Sequence, residues 1–112
     1  MRIRLGTIIA ERELSTPDGL RVIARLGKPR QFPSSEDFYC PYQILGVGSQ
    51  SVRRAGGVDA MQALQLALKM IGADLYTSDE YATKRISWND SRDLGFPVPD
   101  SIQDILPAQS RK

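Results

Sequence analysis

Residues 56–76, GGVDAMQALQLALKMIGADLY, form a long segment in which apolar residues recur at helical spacing. At 100° per residue, five large side chains fall within an arc of about 80° and predict the stripe that faces the core. These residues are Met61, Leu64, Leu68, Ile71 and Leu75. The segment therefore predicts one long helix, entered through a flexible Gly-Gly connection.

The helix carries a second apolar face. This face contains Ala63, Leu66 and Met70, so that apolar or small residues occupy well over half of the circumference. A helix that packs on one side of a sheet needs only one buried stripe, and something else must cover the second face. Either the C-terminal arm or a partner chain can do so. The apolar residues already present in the arm favour the arm.

The first half of the chain predicts strands. Residues 5–14 and 20–26 are rich in β-branched and apolar types, and Ser-Thr-Pro-Asp-Gly at residues 15–19 predicts a tight hairpin between them. A loop over residues 27–37 leads to a third strand at residues 38–47, where Pro41 marks an edge or a bulge. A short fourth strand is expected at residues 50–54.

These elements predict an α+β fold. An antiparallel meander of three to four strands is packed by one long helix, and an irregular C-terminal arm follows. The arm has prolines among its apolar residues, with a short helical turn at residues 101–106. We expect a single domain over residues 1–106 and a flexible tail over residues 107–112.

Composition limits the possible partners and cofactors. The 112 residues carry a net charge of +2 and contain one cysteine and no histidine. A lone cysteine excludes an intrachain disulfide, and neither a metal site nor another cofactor is expected. Basic and acidic residues are intermixed, and the arginines of the first hairpin have no aromatic neighbours, so no nucleic-acid partner is expected. No apolar run is long enough to span a membrane, and a cytoplasmic location is the default.

No catalytic residue can be assigned. The absence of histidine removes Ser-His-Asp and Cys-His systems and the commonest general base. Two acidic pairs, Glu11 with Glu13 and Asp79 with Glu80, have the pattern of solvated surface residues. Cys40, in a strand-like run, is expected to be a buried small apolar residue. The sequence thus favours a protein without enzymatic activity.

The entry to the helix offers one candidate binding site. Arg53 and Arg54 precede Gly56 and Gly57, and free N–H groups at a helix N-terminus with two guanidinium groups suit a phosphate or carboxylate. The Gly-Lys-Ser/Thr pattern of a P-loop is missing, and Asp59 in the first helical turn complements the helix dipole itself. A strand-to-helix connection with solvated arginines is the competing interpretation.

Residues 57–68 carry a resemblance to a known family. Gly57-Val58-Asp59-Ala60, followed by Gln62-Ala63-Leu64 and Leu66-Ala67-Leu68, is similar to the G-x-D-A-x-Q-A-L-x-L-A-L helix signature of small bacterial domains of unknown function. The Pro-Asp-Gly hairpin and Cys40-Pro41-Tyr42 are also similar to the first half of that family. The resemblance covers about residues 8–75. It implies a bacterial source and an α+β fold, and it brings no activity.

Two functional hypotheses follow. The first is a small bacterial cytoplasmic interaction protein, of immunity or adaptor type, which binds a protein partner or a second copy through Ala63, Leu66 and Met70. The second is a module for a small ligand or anion, with Arg53, Arg54, Gly56 and Gly57 as its site. Partner capture tests the first hypothesis, and a ligand screen tests the second.

Overall fold

The computed structural model describes residues 3–107 and contains one antiparallel sheet and one long helix. The strands are β1 (Ile8–Ser15), β2 (Arg21–Gly27), β3 (Arg30–Gln31), β4 (Phe38–Leu45) and β5 (Arg53–Gly57). They are followed by helices α1 (Ala60–Tyr76) and α2 (Asp79–Ala82) and by a 3-10 helix (Asp100–Ile105). The predicted α+β class is confirmed. Most of the predicted tail, residues 108–112, lies outside the described residues.

Strand β4 is central in the sheet. Strands β2 and β3 pair with different halves of one side of β4, β5 pairs with its other side, and β1 pairs with β2. Of the two alternatives predicted for Pro41, an edge or a bulge, the edge is therefore wrong. Pro41 faces a gap between two strands that pair with the same side of β4. The pairing with β2 ends at Tyr42, and the pairing with β3 begins at Tyr39. The N–H that proline lacks is not needed at such a gap.

The predicted hairpin is present between β1 and β2. The Asp18 carboxylate accepts hydrogen bonds from the Thr16 hydroxyl (2.5 Å) and from the Leu20 N–H (3.3 Å). Gly19 has a φ of 80°, a conformation that a residue without a Cβ adopts readily. Leu20, included in the predicted strand over residues 20–26, precedes β2 and is 68% exposed.

The predicted fourth strand, residues 50–54, corresponds to β5, which lies three residues later. Strand β5 includes both glycines of the expected flexible connection. Gly56 pairs with Tyr39, and Gly57 pairs with Phe38. A Cβ at Gly57 would lie 2.5 Å from the backbone nitrogen of Ala63, so only glycine lets the helix start this close to the strand. The Gly-Gly pair is thus part of the sheet rather than a flexible connection.

Helix α1 packs on the sheet through small residues. Ala63, Ala67, Ile71 and Leu75 are spaced by four, lie along one ridge and are at most 1% exposed. Met61, predicted to lie in the core stripe, is 66% exposed, while Leu64 and Leu68 are half-buried at the border of the core. Alanines bring the helix axis close to the sheet, and a stripe inferred from large side chains alone misses them.

The C-terminal arm packs against a different side of α1. The Tyr76 hydroxyl accepts a hydrogen bond from the Leu94 N–H at 2.8 Å, and a Cβ at Gly72 would overlap the Pro97 carbonyl oxygen. Gly72 and Met70 point about 160° apart, since two residues advance a helix by about 200°. The arm therefore does not cover the face of Leu66 and Met70, contrary to the favoured expectation.

Candidate functional site

Helix α1 and the arm lie on the inner face of the sheet, and the segment before β1 crosses part of the outer face, where a Cβ at Gly27 would overlap the Leu5 carbonyl oxygen. Strand pairing decides which residues point outward, because directly opposed residues share a face. On β1 and β2 the outer face carries two exposed ion pairs, Arg25–Glu11 at 2.7 Å and Arg21–Glu13 at 3.4 Å. The part formed by β3, β4 and β5 has a different character.

Four side chains form an arginine–aromatic cluster on that part of the outer face: Arg30, Phe32, Tyr39 and Arg54. Tyr39 lies directly between Arg30 on β3 and Gly56 on β5. The ring centroids of Phe32 and Tyr39 are 4.9 Å apart at an interplanar angle of 43°. The Arg54 guanidinium carbon is 5.0 Å from the Phe32 centroid and 5.7 Å from that of Tyr39.

The Phe32 ring packs over Gly56, at the distance of an ordinary van der Waals contact. The missing side chain of Gly56 would point outward, opposite Tyr39, and the nearest ring atom of Phe32 lies 3.8 Å from where a Cβ would be. An aromatic ring over a strand glycine shields the exposed backbone and replaces the side-chain contact that glycine cannot make. Phe32 thus covers backbone that glycine leaves exposed.

The cluster is basic and lacks carboxylates. The Arg30 guanidinium donates to the backbone carbonyl of Arg4 at 2.5 Å and lies 5.4 Å from the Tyr39 centroid. Arg54 is exposed, and no carboxylate in the described part of the chain pairs with it. A guanidinium held over aromatic rings keeps its charge and its N–H donors available for an anionic group.

Arg53 lies on the opposite face of the sheet. Its guanidinium pairs with Asp74 of α1 and lies 5.1 Å from the centroid of Tyr42. Burial raises the pKa of the Tyr42 phenol, and the charge of Arg53 acts against that rise. The structure therefore does not bring the two guanidinium groups together. Of the predicted anion site, Arg54 and Gly56 share the outer face, while Arg53 and Gly57 face the helix.

The N-terminus of α1 uses donors that an anion would need. Asp59 is the N-cap rather than a first-turn residue, and its carboxylate accepts from the Gln62 N–H at 2.8 Å. The Gln62 side chain in turn accepts from the Val58 N–H at 2.8 Å. The Asp59 carboxylate thus occupies one of the free N–H groups at the helix start, while the Gln62 side chain binds the residue before the cap.

The predicted interaction face is divided between the core and the surface. Ala63 is fully buried, Leu66 is 37% exposed and Met70 is half-buried. Leu66, Met70 and Asp74 are spaced by four and lie along one ridge of α1. Because Asp74 pairs with Arg53, this ridge is on the β5 side of the helix. The exposed part of the predicted face thus adjoins β5.

Cys40 is the free cysteine of the described residues, and it is buried. Burial raises the pKa of the Cys40 thiol to about 11, which leaves little thiolate near neutral pH. Between residues 3 and 107 no group of three or more potential ligand side chains could hold a metal ion. Over the same range, none of the helices has the length and apolar character that crossing a membrane requires.

Of the arginine–aromatic cluster, the sequence prediction included Arg54 but not Arg30, Phe32 or Tyr39. The interpretation that the arginines have no aromatic neighbours considered the first hairpin alone. The signal that was missed is that Arg30 and Phe32 point to the same face of the sheet as Tyr39, although a loop separates them in sequence. That signal becomes visible only once β3 is placed beside β4.

Comparison with known proteins gives a family without an assigned activity. No curated protein and no solved structure shows a significant match to the chain. Residues 10–98 match a family described as a domain of unknown function, DUF6968. The match extends beyond the helix into the arm, farther than the resemblance noted from the sequence. Since it spans more than half of the chain, the protein belongs to the DUF6968 family of domains of unknown function.

Proposed function

We propose that this protein is a non-enzymatic protein-interaction module that binds through the β5 surface. This surface comprises the arginine–aromatic cluster, the edge of β5 and the exposed Leu66 of α1. The observation that carries the proposal is Arg54, which is exposed over two aromatic rings without a carboxylate partner in the described residues. Arginine and tyrosine are among the residue types enriched at the energetic hot spots of protein interfaces.

The proposal extends to the biological setting. A bacterial, cytoplasmic protein of immunity or adaptor type is consistent with the small size and with the resemblance of the helix signature. This extension rests on analogy with small binding proteins. The gene neighbourhood tests it, because an immunity protein is expected beside the gene of the toxin that it neutralises.

Photo-crosslinking tests the use of the β5 surface. A photo-reactive residue in place of Glu36, in the exposed loop between Phe32 and β4, should yield a specific protein adduct in the native host. Arg54→Glu should abolish the adduct, and Arg21→Glu should not. Arg21 is a matched control because it lies exposed on the same face and its replacement changes the net charge equally. Adducts that are unaffected by Arg54→Glu would contradict the proposal.

A module for a small anion is the second candidate. It is favoured by the same unpaired Arg54, and it would use Arg54 and Gly56 rather than all four residues first considered. A thermal-shift screen with phosphates, nucleotides and carboxylates tests it. A ligand present at a hundred times its dissociation constant stabilises the protein by about 2.7 kcal/mol. A shift that persists in Arg54→Ala would exclude this site.

A further inference from the structure

We infer that the edge of β5 accepts an extended segment of a protein partner as an additional antiparallel strand. The segment alternates acidic side chains, which face Arg54, with apolar side chains, which face Leu66 and Met70. This inference rests on the proposed function and specifies the chemistry of the partner. Three features carry it: the backbone groups of β5, the charge on its outer side and the helix ridge on its inner side.

The backbone groups of β5 are available on one side. Strand β5 pairs with β4 and with no other element of residues 3–107. In an antiparallel ladder, alternate residues direct both their N–H and their C=O toward the same neighbouring strand. Pro41, opposite Arg54, has no N–H to give, so the hydrogen-bonded pairs are Cys40–Ala55 and Tyr42–Arg53. The N–H and C=O groups of Arg54 and Gly56 consequently point to the free edge.

The other two edge strands, β1 and β3, are less suited to strand addition, and β3 has only two residues. Strand β1 has an irregular register between Ile8 and Ala10, and its last residue, Ser15, pairs with Ser87. Arg12 of β1 holds the arm through the carbonyls of Leu94 and Gly95. Irregular register and covering segments are the usual means of blocking strand addition. Strand β5 has a continuous register, and glycine makes close approach at Gly56 easy.

Side chains on the outer side of an added strand would meet Arg54. A residue directly opposite Arg54 has its Cβ about 5 Å away, which is within reach of an ion pair. The guanidinium has no competing carboxylate in the described part of the chain, and Phe32 and Tyr39 hold it in place. This position therefore selects Asp or Glu in the partner.

Side chains on the inner side would meet helix α1. The next residue of an added strand lies opposite Ala55, whose side chain points toward the helix and is buried. Leu66 and Met70 lie on the same side of the helix as β5 and carry apolar surface that the arm does not cover. An apolar partner residue would bury this surface. The partner segment thus alternates apolar and acidic residues, which is the period of a strand.

Charge argues against a second copy as the occupant. Two β5 strands paired antiparallel about Ala55 would place each Arg54 opposite the Gly56 of the other copy. The two Arg54 side chains would then be diagonal neighbours on one face, about 7–8 Å apart at the Cα atoms, and would repel. Single-stranded nucleic acid also fits less well, because Glu11 and Glu13 lie on the same face and a strand edge offers no match to a ribose-phosphate backbone.

A synthetic peptide tests the inference. The probe is acetyl-Val-Glu-Val-Glu-Val-Glu-Val-amide, titrated into the full chain and followed by calorimetry and amide NMR. We expect binding with slowed hydrogen exchange at Arg54 and Gly56. The matching peptide with lysine in place of glutamate should bind at least tenfold more weakly. Arg54→Glu should reverse this order, whereas Arg21→Glu should leave it unchanged.

N-methylation separates strand addition from charge attraction. Opposite Arg54 and Gly56, the glutamate N–H groups of the probe point toward β5 and the valine N–H groups point away. Methylation of the glutamate amides should abolish binding, and methylation of the valine amides should be tolerated. Equal binding of the two methylated peptides would overturn strand addition.

The remaining outcomes are also decisive. Absence of binding by the glutamate peptide at millimolar concentration overturns the inference, and the crosslinking experiment then judges the proposed function separately. Binding of single-stranded oligo(dT) that depends on Arg54, in the absence of peptide binding, would show that the surface takes nucleic acid instead.

Discussion

The guanidinium carbon of Arg12 lies 3.9 Å from the centroid of the Trp88 ring and 4.9 Å from that of Phe96. Arg12 also donates hydrogen bonds to the carbonyls of Leu94 (3.3 Å) and Gly95 (3.2 Å). A single side chain of β1 therefore holds an arm that is more than seventy residues away in sequence. The same contact requires glycine at position 95, because a Cβ there would lie 2.5 Å from the Trp88 ring.

Arg12→Ala should loosen the arm. The change removes a half-buried cation–π contact and leaves two carbonyls without their donor, so we expect a loss of about 1–3 kcal/mol in the free energy of unfolding. Denaturant unfolding measures this loss, and Trp88 fluorescence should shift to longer wavelength. Arg21→Ala, at an exposed ion pair, should lose at most about 0.5 kcal/mol. Equal effects of the two changes would refute the role of Arg12.

Gly72→Ala should destabilise the protein although alanine is the better helix former. Helix propensity alone would favour alanine by about 1 kcal/mol. The added Cβ would, however, overlap the Pro97 carbonyl oxygen, and a backbone atom cannot rotate away. We expect a net loss of at least 2 kcal/mol in thermal or denaturant unfolding. The exposed substitution Gln65→Ala should change stability by less than about 0.5 kcal/mol, and a stabilised Gly72→Ala variant would contradict the packing of the arm.

Much of the fold was predictable because its signals are local. The turn at residues 15–19 combines proline, aspartate and glycine, and its Asp18 hydrogen bonds form within five residues. The long helix follows from periodicity, and Asp59 with Gln62 marks its start. Such features depend on neighbours in sequence and need no knowledge of tertiary contacts.

The predictions from sequence were wrong where contacts between residues far apart in the chain determine the structure. Gly57 looks like a flexible connection in sequence, yet its glycine is required by the approach of Ala63 in the fold. Met61 was placed in the core by its size, but the alanine ridge sets the orientation of the helix instead. The arginine–aromatic cluster likewise needs three strands to bring Arg30, Phe32 and Arg54 to Tyr39. No single segment contains that information.

Leu66→Asp separates the two sides of α1. Leu66 is 37% exposed on the β5 side, so its replacement should leave a folded protein with less than about 1 kcal/mol of destabilisation. Leu68→Ala, at the border of the core, should lose roughly 2 kcal/mol, at the low end for a buried leucine. Circular dichroism and denaturant unfolding measure both effects. Unfolding of Leu66→Asp would show that this face is part of the core and unavailable to a partner.

Cys40 should make the protein less stable at alkaline pH. Burial raises the pKa of its thiol from 9.0 to about 11, so the unfolded chain releases this proton at lower pH than the folded protein does. The contribution of the Cys40 thiol to the free energy of unfolding is fully present below pH 9 and is lost as the pH rises toward 11. A shift of two pKa units corresponds to a loss of roughly 3 kcal/mol.

Comparison with Cys40→Ala isolates this contribution from other groups that titrate in the same range. Alanine keeps the site small and apolar but cannot ionise, so the variant should start less stable than the parent and lose less stability between pH 8 and pH 10.5. Denaturant midpoints across that range provide the measurement. Thiol labelling of the folded parent at pH 8 should also be slow compared with that of the unfolded chain. Parallel pH profiles for the two proteins, or rapid labelling in the native state, would show that Cys40 is not shielded as its contacts with β2 indicate.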